Sequence, residues 1–166
     1  MAIQNHQTIR PLQPSDMPAV KAVINACGLF PSELLDSMTT GYFTGQAGPD
    51  LWLTYNDGSP TAVAYCAPER MTQGTWNLLL IAVHPHSQCK GYGAAIMRHV
   101  EHLLAAKGAR LLLVETSGLP SFEGTRGFYK KLGYDEEARI REFYQVGEDK
   151  IVFRRALNPR EARSQE

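Results

Sequence analysis

The chain has 166 residues, of which 43% are hydrophobic and 20% charged, and its formal net charge is zero. This length and composition suit one ordinary globular domain with a proper core. Zero net charge argues against a nucleic-acid binder that relies on a broad basic face. No apolar run reaches the roughly 18 residues of a membrane span. Because the start of the chain lacks the basic and apolar regions of a signal peptide, we expect a cytoplasmic protein.

The cysteines and histidines predict neither a metal site nor a redox site. Cys27, Cys66 and Cys89 are odd in number and widely spaced. We interpret the first two as reduced packing residues. The five histidines form no convincing ligand set.

In the first half of the chain, the pattern predicts two helices between strands. A strand at residues 6–12 precedes a helix at 15–27, which is capped by its first serine and stopped by a glycine. A second helix, at 31–43, carries a proline in its first turn. Strands at 51–55 and 61–71 form a hairpin, because an Asn-Asp-Gly turn separates them.

The second half is predicted to contain a strand at 76–83, a helix at 92–107, a strand at 110–116, a helix at 121–132, and strands at 137–145 and 150–156, joined by a turn at 147–149. The helix at 92–107 should face the sheet with Ile96, Val100, Leu103 and Leu104. The helix between two strands requires a right-handed crossover and parallel pairing. We expect one domain over residues 1–157 and a frayed tail at 158–166.

The run Gln88-Cys-Lys-Gly-Tyr-Gly93 stands between the apolar strand and the longest helix. Gly91 can adopt positive φ and lets the backbone approach an anion without a Cβ. A helix that opens here directs its unpaired N–H groups and its dipole to one point. The run therefore predicts a site for a phosphate or pyrophosphate.

Two motifs in this order resemble the GNAT N-acetyltransferases. Gln88-x-x-Gly91-x-Gly93 is similar to the pyrophosphate loop of that family. Phe128-Tyr129-x-Lys131-x-Gly133-Tyr134 is similar to its Phe/Leu-Tyr-x-Lys-x-Gly-Phe/Tyr segment. The agreement covers about residues 76–156, and the earlier residues match only in the order of elements.

The resemblance implies an α/β fold with a central mixed, mostly antiparallel sheet of six to seven strands and helices on both faces. Its parallel pair would be splayed at the acyl-CoA site. It also implies acetyl-CoA as cosubstrate and no metal. Lys90, Arg126 and Lys130 could attract the nucleotide phosphates or be solvated surface charges. The implied cofactor-binding residues are Ile81, Ala82, Val83, Gln88, Cys89, Lys90, Gly91, Tyr92, Gly93 and Ala94.

Two side chains are candidates for catalysis of the implied reaction, Tyr129 through its place in the matched segment and Glu115 through its place at a strand end. Tyr129 would protonate or stabilise the leaving thiolate; the alternative is that it only packs. Glu115 ends an apolar strand on the same side as Leu111 and Leu113, so it would lie near the cleft and could be the base that takes a proton from the amine. The alternative is a strand-end charge that reaches water or bonds a neighbouring loop. A water chain or an already neutral amine could replace such a base.

The implied reaction moves an acetyl group from acetyl-CoA to a primary amine of a small molecule or peptide, by direct attack in a ternary complex. Glu33, Tyr42 and Tyr144 are candidates to line the acceptor site. The competing interpretation is a non-catalytic acyl-CoA-binding or sensor module. We expect neither a nucleic-acid nor a membrane partner, and a homodimer stays open.

Overall fold

A computed structural model describes residues 8–157 of the chain. The elements, in order, are β1 (Thr8–Pro11), α1 (Met17–Cys27), α2 (Leu34–Phe43), β2 (Leu51–Asn56), β3 (Pro60–Pro68), β4 (Thr75–Val83), α3 (Tyr92–Ala106), β5 (Leu111–Ser117), α4 (Glu123–Lys131), β6 (Asp135–Gln145) and β7 (Glu148–Ala156). Short 3-10 turns lie at Pro14–Asp16, Pro85–Ser87 and Pro120–Phe122. This order of strands and helices is the predicted one.

The strands form one seven-stranded mixed sheet in the order β1-β2-β3-β4-β5-β7-β6. Strands β4 and β5 pair in parallel. The pairs β1–β2, β2–β3, β5–β7 and β6–β7 are antiparallel. The predicted fold class is therefore confirmed.

The chain falls into two compact units. The first contains the residues up to Ala67 together with Leu80–Val100, and the second contains Pro68–Leu79 together with the residues from Glu101 onward. Both β4 and α3 run from one unit into the other.

The core of the first unit comes from α1, α2 and the strands β2 to β4. Helix α1 buries Val20, Val23 and Ile24, which lie at helical spacing. It ends at Gly28, whose φ of +65° confirms the predicted stop. The buried members of this core are Leu12, Val20, Val23, Ile24, Leu35, Trp52, Val63, Leu80 and Ala82.

In the second unit, β5 buries one face and leaves the other half-buried. Leu112, Val114 and Thr116 are buried, whereas Leu111, Leu113 and Glu115 are not fully buried. This alternation follows from the pleat, which turns successive side chains to opposite faces. It confirms that Glu115 shares a face with Leu111 and Leu113.

Several predicted boundaries and caps were wrong. Ser15 is not the cap of α1, because it lies in a 3-10 turn and the helix begins at Met17. Asp16 accepts the Gln13 N–H through Oδ2 at 2.8 Å instead. Helix α2 begins at Leu34, after the turn that contains the predicted proline.

Other differences are smaller. Strand β3 ends at Pro68, since proline has no N–H for the ladder. On α3, Ile96, Val100 and Leu104 are buried as predicted, but Leu103 is only half-buried and Met97 takes its place. The last turn is at residues 146–147. The start of the first predicted strand and the predicted frayed tail at 158–166 lie outside the described residues. Within residues 8–157, no helix is both long and apolar enough to cross a membrane.

Candidate active site

The end of β4 turns the backbone groups of Ile81 and Val83 away from β3. The His84 N–H donates to the Thr61 carbonyl oxygen at 2.8 Å, which places the His84 N–H on the β3 side. Because peptide groups alternate along a strand, those of Ile81 and Val83 point to the opposite side and those of Ala82 point toward β3. Ala82 is also buried in the first unit's core.

The parallel ladder of β4 and β5 is short. Its register runs from Thr75 opposite Leu111 to Leu78 opposite Val114. Beyond this last pair, β4 continues to Val83 and β5 to Ser117.

The glycine turn before α3 contains two residues in the left-handed region. Cys89 has a φ of +61° and Gly91 a φ of +83°. No atom lies within 4 Å of a Cβ built on Gly91, so the space beside its backbone is open. A non-glycine residue at positive φ, such as the exposed Cys89, is uncommon and is typical of functional loops.

Helix α3 opens directly after this turn. Its first bond back into the turn joins the Ala95 N–H to the Gly91 carbonyl oxygen at 3.0 Å. The first four N–H groups of an α-helix have no partner within the helix, and together with the dipole they favour an anion. Gly93 and Ala94 lie in this first turn, and Lys90 is exposed just before it.

Gln88 ties the glycine turn to the end of β4. Its Nε2 donates to the Val83 carbonyl oxygen at 3.0 Å, and the Cys27 thiol donates to the same oxygen at 3.2 Å. Burial raises the pKa of Cys27, so that thiol stays protonated and able to donate. Gln88 is thereby placed to shape the loop, and its part in cofactor binding stays a prediction.

The Tyr92 side chain anchors the start of α3 to the first unit. Its ring stacks on Tyr55 with centroids 4.3 Å apart, and its hydroxyl donates to Asp57 Oδ2 at 2.5 Å. Since the ring is buried, a contact of Tyr92 with a phosphate would come from its backbone.

Tyr129 lies on the buried face of α4. Its side chain is only 3% exposed, and its ring packs against Tyr134 and Phe153 with centroids 5.9 and 5.5 Å apart. Burial raises the pKa of Tyr129 well above that of a free phenol, so the hydroxyl keeps its proton. Within residues 8–157, no group forms a hydrogen bond with this hydroxyl.

Glu115 belongs to a polar cluster that the sequence did not predict. Its Oε2 lies 2.9 Å from Lys150 Nζ, and its Oε1 accepts from Asn77 Nδ2 at 3.2 Å. Asn77 Nδ2 also donates to Glu69 Oε1 at 2.9 Å. The Lys150 ammonium lies 3.8 Å from the centre of the Phe143 ring.

One signal of this cluster is visible in the sequence. Asn77 is a polar residue within the apolar run Trp76–Val83, and a buried amide requires hydrogen-bond partners. Glu69 and Lys150 give no comparable signal.

The remaining predicted residues have structural contacts or are exposed. Arg126 donates to the carbonyl oxygens of Ser117 and Leu119, at 2.8 and 2.9 Å, and Lys130 pairs with Glu136 at 3.1 Å. These contacts favour structural roles over phosphate attraction. Glu33 is exposed, and no contact with another described residue assigns it a role. The Tyr42 hydroxyl donates to the Leu12 carbonyl oxygen at 3.4 Å.

Tyr144 belongs to the neighbourhood of Glu115. Its pKa is raised first by burial and then by the charges of Glu115 and Glu148. Among the described residues, no group of three or more histidine, cysteine, aspartate or glutamate side chains could hold a metal ion.

Several solved structures are similar to this chain. A protein from Desulfovibrio desulfuricans, assigned as an acetyltransferase of the GNAT family, is 30% identical, with a TM-score of 0.84 over 91% of this chain and 99% of that one. The ribosomal-protein-S18-alanine N-acetyltransferase from Escherichia coli is 23% identical, with a TM-score of 0.73 over 92% and 94% of the two chains.

A third similar structure contains the cofactor. It is a protein from Salmonella typhimurium, assigned as an acetyltransferase and solved with acetyl-CoA; it is 16% identical, with a TM-score of 0.72 over 93% and 95% of the two chains. No curated protein matches the chain. Residues 47–136 match the family model of the acetyltransferase (GNAT) domain. The chain therefore belongs to the GNAT family of acetyltransferases, and it is an acyltransferase.

Proposed function

We propose that this protein transfers an acetyl group from acetyl-CoA to a primary amine of a small molecule or peptide, by direct attack in a ternary complex. The observation that carries the proposal is the turn with left-handed Cys89 and Gly91 that opens α3. The similar Salmonella protein was solved with acetyl-CoA, and the similar Escherichia coli enzyme is named for an alanine of a ribosomal protein.

The backbone around this turn would hold the pyrophosphate of acetyl-CoA. The open space beside Gly91 and the start of α3 fit an anion that receives hydrogen bonds from the N–H groups of residues 89–94. Gln88 would hold this turn in place through its hydrogen bond to Val83.

The backbone of Ile81 and Val83 would pair with the amide-bearing arm of the cofactor. The carbonyl oxygen of Val83 already accepts from Gln88 and Cys27, so pairing at Val83 would use its N–H. The peptide groups of Ala82 face β3, so Ala82 would not pair with the arm. It would only join Ile81 and Val83 within the strand.

Acetyl-CoA would supply the acetyl group as a reactive thioester. Glu115 would take a proton from the ammonium, and the free amine would attack the carbonyl carbon. The bond from carbon to sulfur would then break, and the nitrogen would lose its second proton, which water would carry to the leaving thiolate. The proton lost to Glu115 would leave through water. The two oxygens of Glu115 offer about four acceptor positions, so an amine could bind beside Asn77 and Lys150.

Tyr129 would donate its O–H to the leaving sulfur. Burial keeps the phenol neutral and raises its pKa, which favours a hydrogen bond to the thiolate over complete proton transfer. Such a donor would stabilise the negative charge as it forms.

Titration calorimetry with acetyl-CoA, with CoA and ATP as controls, tests the cofactor. We expect micromolar binding of acetyl-CoA and none of ATP; absence of acetyl-CoA binding would refute the proposal. A screen of primary amines that follows release of the CoA thiol then tests turnover. Binding without thiol release for any amine would favour the sensor module instead.

A further inference from the structure

The connection from β4 to α3, which contains the glycine turn, is attached at both ends to the same end of the β2–β3 hairpin. At its start, the His84 N–H donates to the Thr61 carbonyl oxygen at 2.8 Å. At its end, the Tyr92 hydroxyl donates to Asp57 Oδ2 at 2.5 Å, and the Tyr92 ring stacks on Tyr55. The glycine turn therefore lies between two attachments to one hairpin.

The end of the hairpin is held by contacts of its own. The Asp57 N–H donates to the Ser59 carbonyl oxygen at 3.0 Å, which closes the turn between β2 and β3. Next to it, Asn56 Nδ2 donates to Thr54 Oγ1 at 3.0 Å and to the Thr8 carbonyl oxygen at 3.3 Å. Asp57 is thus positioned by the first three strands and does not depend on Tyr92 for its place.

The attachment at Tyr92 combines a stacked ring with a charged hydrogen bond. The rings of Tyr92 and Tyr55 are both buried, with centroids 4.3 Å apart and planes inclined by 19°. A hydrogen bond from a hydroxyl to a carboxylate is about twice as strong as one between neutral groups. Burial raises the pKa of Tyr55, and the charge of Asp57 raises it further, so this charge acts on the cluster. The start of α3 cannot turn about its axis without disrupting both contacts.

The residues beside Tyr92 are those proposed to hold the pyrophosphate. Gly91 precedes it and Gly93 follows it, so a rotation of the backbone at Tyr92 would redirect the N–H groups on both sides. A binding loop that is ordered before its ligand arrives avoids the loss of conformational entropy on binding. A fixed Tyr92 side chain would therefore increase affinity without touching the ligand.

The charge of Asp57 gives this idea a diagnostic sign. A carboxylate one side chain away from the turn repels a pyrophosphate, because like charges repel. If charge were the only effect of Asp57, removing the carboxylate would strengthen the binding of acetyl-CoA. A role in positioning the turn predicts the opposite result, namely weaker binding.

We propose that Asp57 and Tyr92 are positioning residues, which fix the glycine turn on the β2–β3 hairpin before acetyl-CoA binds. Their side chains act through the backbone N–H groups of residues 89–94 and contact neither the cofactor nor the reacting atoms. The assignment rests on the proposed function for the identity of the ligand, but the order that it gives to the turn exists without a ligand.

Tyr92→Phe tests the proposal, because it keeps the stacked ring and removes only the hydroxyl. The same hairpin offers a matched control at its opposite end. There Tyr65 stacks on Trp52, with centroids 4.2 Å apart, and donates to Asp50 Oδ2 at 2.7 Å. In calorimetry on the full chain, Tyr92→Phe should weaken acetyl-CoA about tenfold and Tyr65→Phe should leave its affinity unchanged. Unchanged affinity in Tyr92→Phe, or equal weakening by both variants, would overturn the proposal.

Asp57→Ala tests the sign of the effect. It should weaken acetyl-CoA about as much as Tyr92→Phe does, although it removes a repelling charge. The double variant of Asp57→Ala with Tyr92→Phe should be no weaker than either single variant, since both act through one hydrogen bond. Tighter binding by Asp57→Ala, or additive weakening in the double variant, would refute the tether.

A measurement without cofactor separates this proposal from the proposed function. The NMR order parameters of the Cys89 and Gly91 amides in the unliganded chain should fall in Tyr92→Phe and stay unchanged in Tyr65→Phe. Unchanged order in Tyr92→Phe would show that the hydroxyl does not fix the turn. If the parent binds acetyl-CoA and Tyr92→Phe binds it equally well, the tether is wrong while the proposed function stands. If the parent does not bind acetyl-CoA but Tyr92→Phe loses order at the turn, the proposed function is wrong and the tether serves another ligand.

Discussion

The Gln88 side-chain amide donates to the Val83 carbonyl oxygen at 3.0 Å, and this bond joins the glycine turn to the end of β4. Val83 ends the strand whose backbone we propose to pair with the cofactor, and Gln88 begins the turn that we propose to hold its pyrophosphate. One hydrogen bond thus couples the positions of two proposed binding elements.

Gln88→Ala should weaken the binding of acetyl-CoA about twofold to tenfold, because loss of a typical hydrogen bond costs about 0.5–1.5 kcal/mol. Calorimetry measures the affinity, and urea denaturation should show a loss of stability below about 1 kcal/mol, since Gln88 is exposed. Gln46→Ala, an exposed glutamine in the same unit, is the control. Unchanged affinity in Gln88→Ala would show that this bond does not position the turn.

Gly91→Ala separates backbone strain from ligand contact. Gly91 has a φ of +83° and Gly108 a φ of +84°, and neither has an atom within 4 Å of a built Cβ. Alanine should therefore cost each position about 1–2 kcal/mol of stability through strain alone. Only the change at Gly91 should weaken acetyl-CoA, and Gly91→Asp should abolish binding by adding bulk and like charge. Retained affinity in Gly91→Asp would refute the loop assignment.

Tyr129→Phe should lower turnover about 10²-fold and leave acetyl-CoA affinity unchanged, because only the O–H is lost while the ring packing stays. Stability should change little, since no described residue bonds this hydroxyl. The control is Tyr134→Phe, which loses a 2.9 Å bond to Glu101 and should lose about 1–3 kcal/mol of stability with little change in turnover. Equal turnover of Tyr129→Phe and the parent would remove Tyr129 from the mechanism.

Glu115→Gln should lower both turnover and stability, for different reasons. It removes the charge that pairs with Lys150, whose side chain is only 10% exposed, and this should cost about 2 kcal/mol. The double variant Glu115→Gln with Lys150→Met removes the unpaired ammonium as well, so it should regain stability but not turnover. If turnover returned with stability, Glu115 would be a structural residue and not the base.

The ion pair of Arg10 and Asp16 predicts that the protein becomes less stable in acid. Arg10 Nη1 lies 2.7 Å from Asp16 Oδ2, and this contact lowers the pKa of Asp16. A carboxyl group with a lowered folded pKa stabilises the protein above its unfolded pKa of about 3.9, and that contribution is lost as pH falls through the folded pKa.

Asp16→Asn should therefore lower the free energy of unfolding by about 2 kcal/mol at neutral pH. The loss is moderate because Arg10 is half-exposed and water can solvate its charge. The difference from the parent should shrink below about pH 4. Urea denaturation at both pH values measures it. Asp36→Asn, which breaks an exposed pair with Lys21, is the control and should cost less than about 1 kcal/mol. A constant difference at all pH values would contradict the assigned cause.

The amino-acid sequence by itself determined the order of the elements, the stop of α1 at Gly28, the left-handed Gly91 before α3 and the membership of the family. These features depend on neighbouring residues, because periodicity, caps and glycine conformations act over one or two turns of chain. The same reasoning failed at the start of α1, where Ser15 lies in a 3-10 turn and the Asp16 side chain accepts hydrogen bonds from Arg10 and the Gln13 N–H.

Only the tertiary structure decided which side chains meet. Asn77 bonds Glu115, 38 residues away, because β4 and β5 pair in a particular parallel register. Lys150 reaches Glu115 from β7 for the same kind of reason, through the antiparallel register of β5 and β7. No local pattern encodes a register between strands so far apart in the chain, since it follows from packing and hydrogen bonding of the whole sheet.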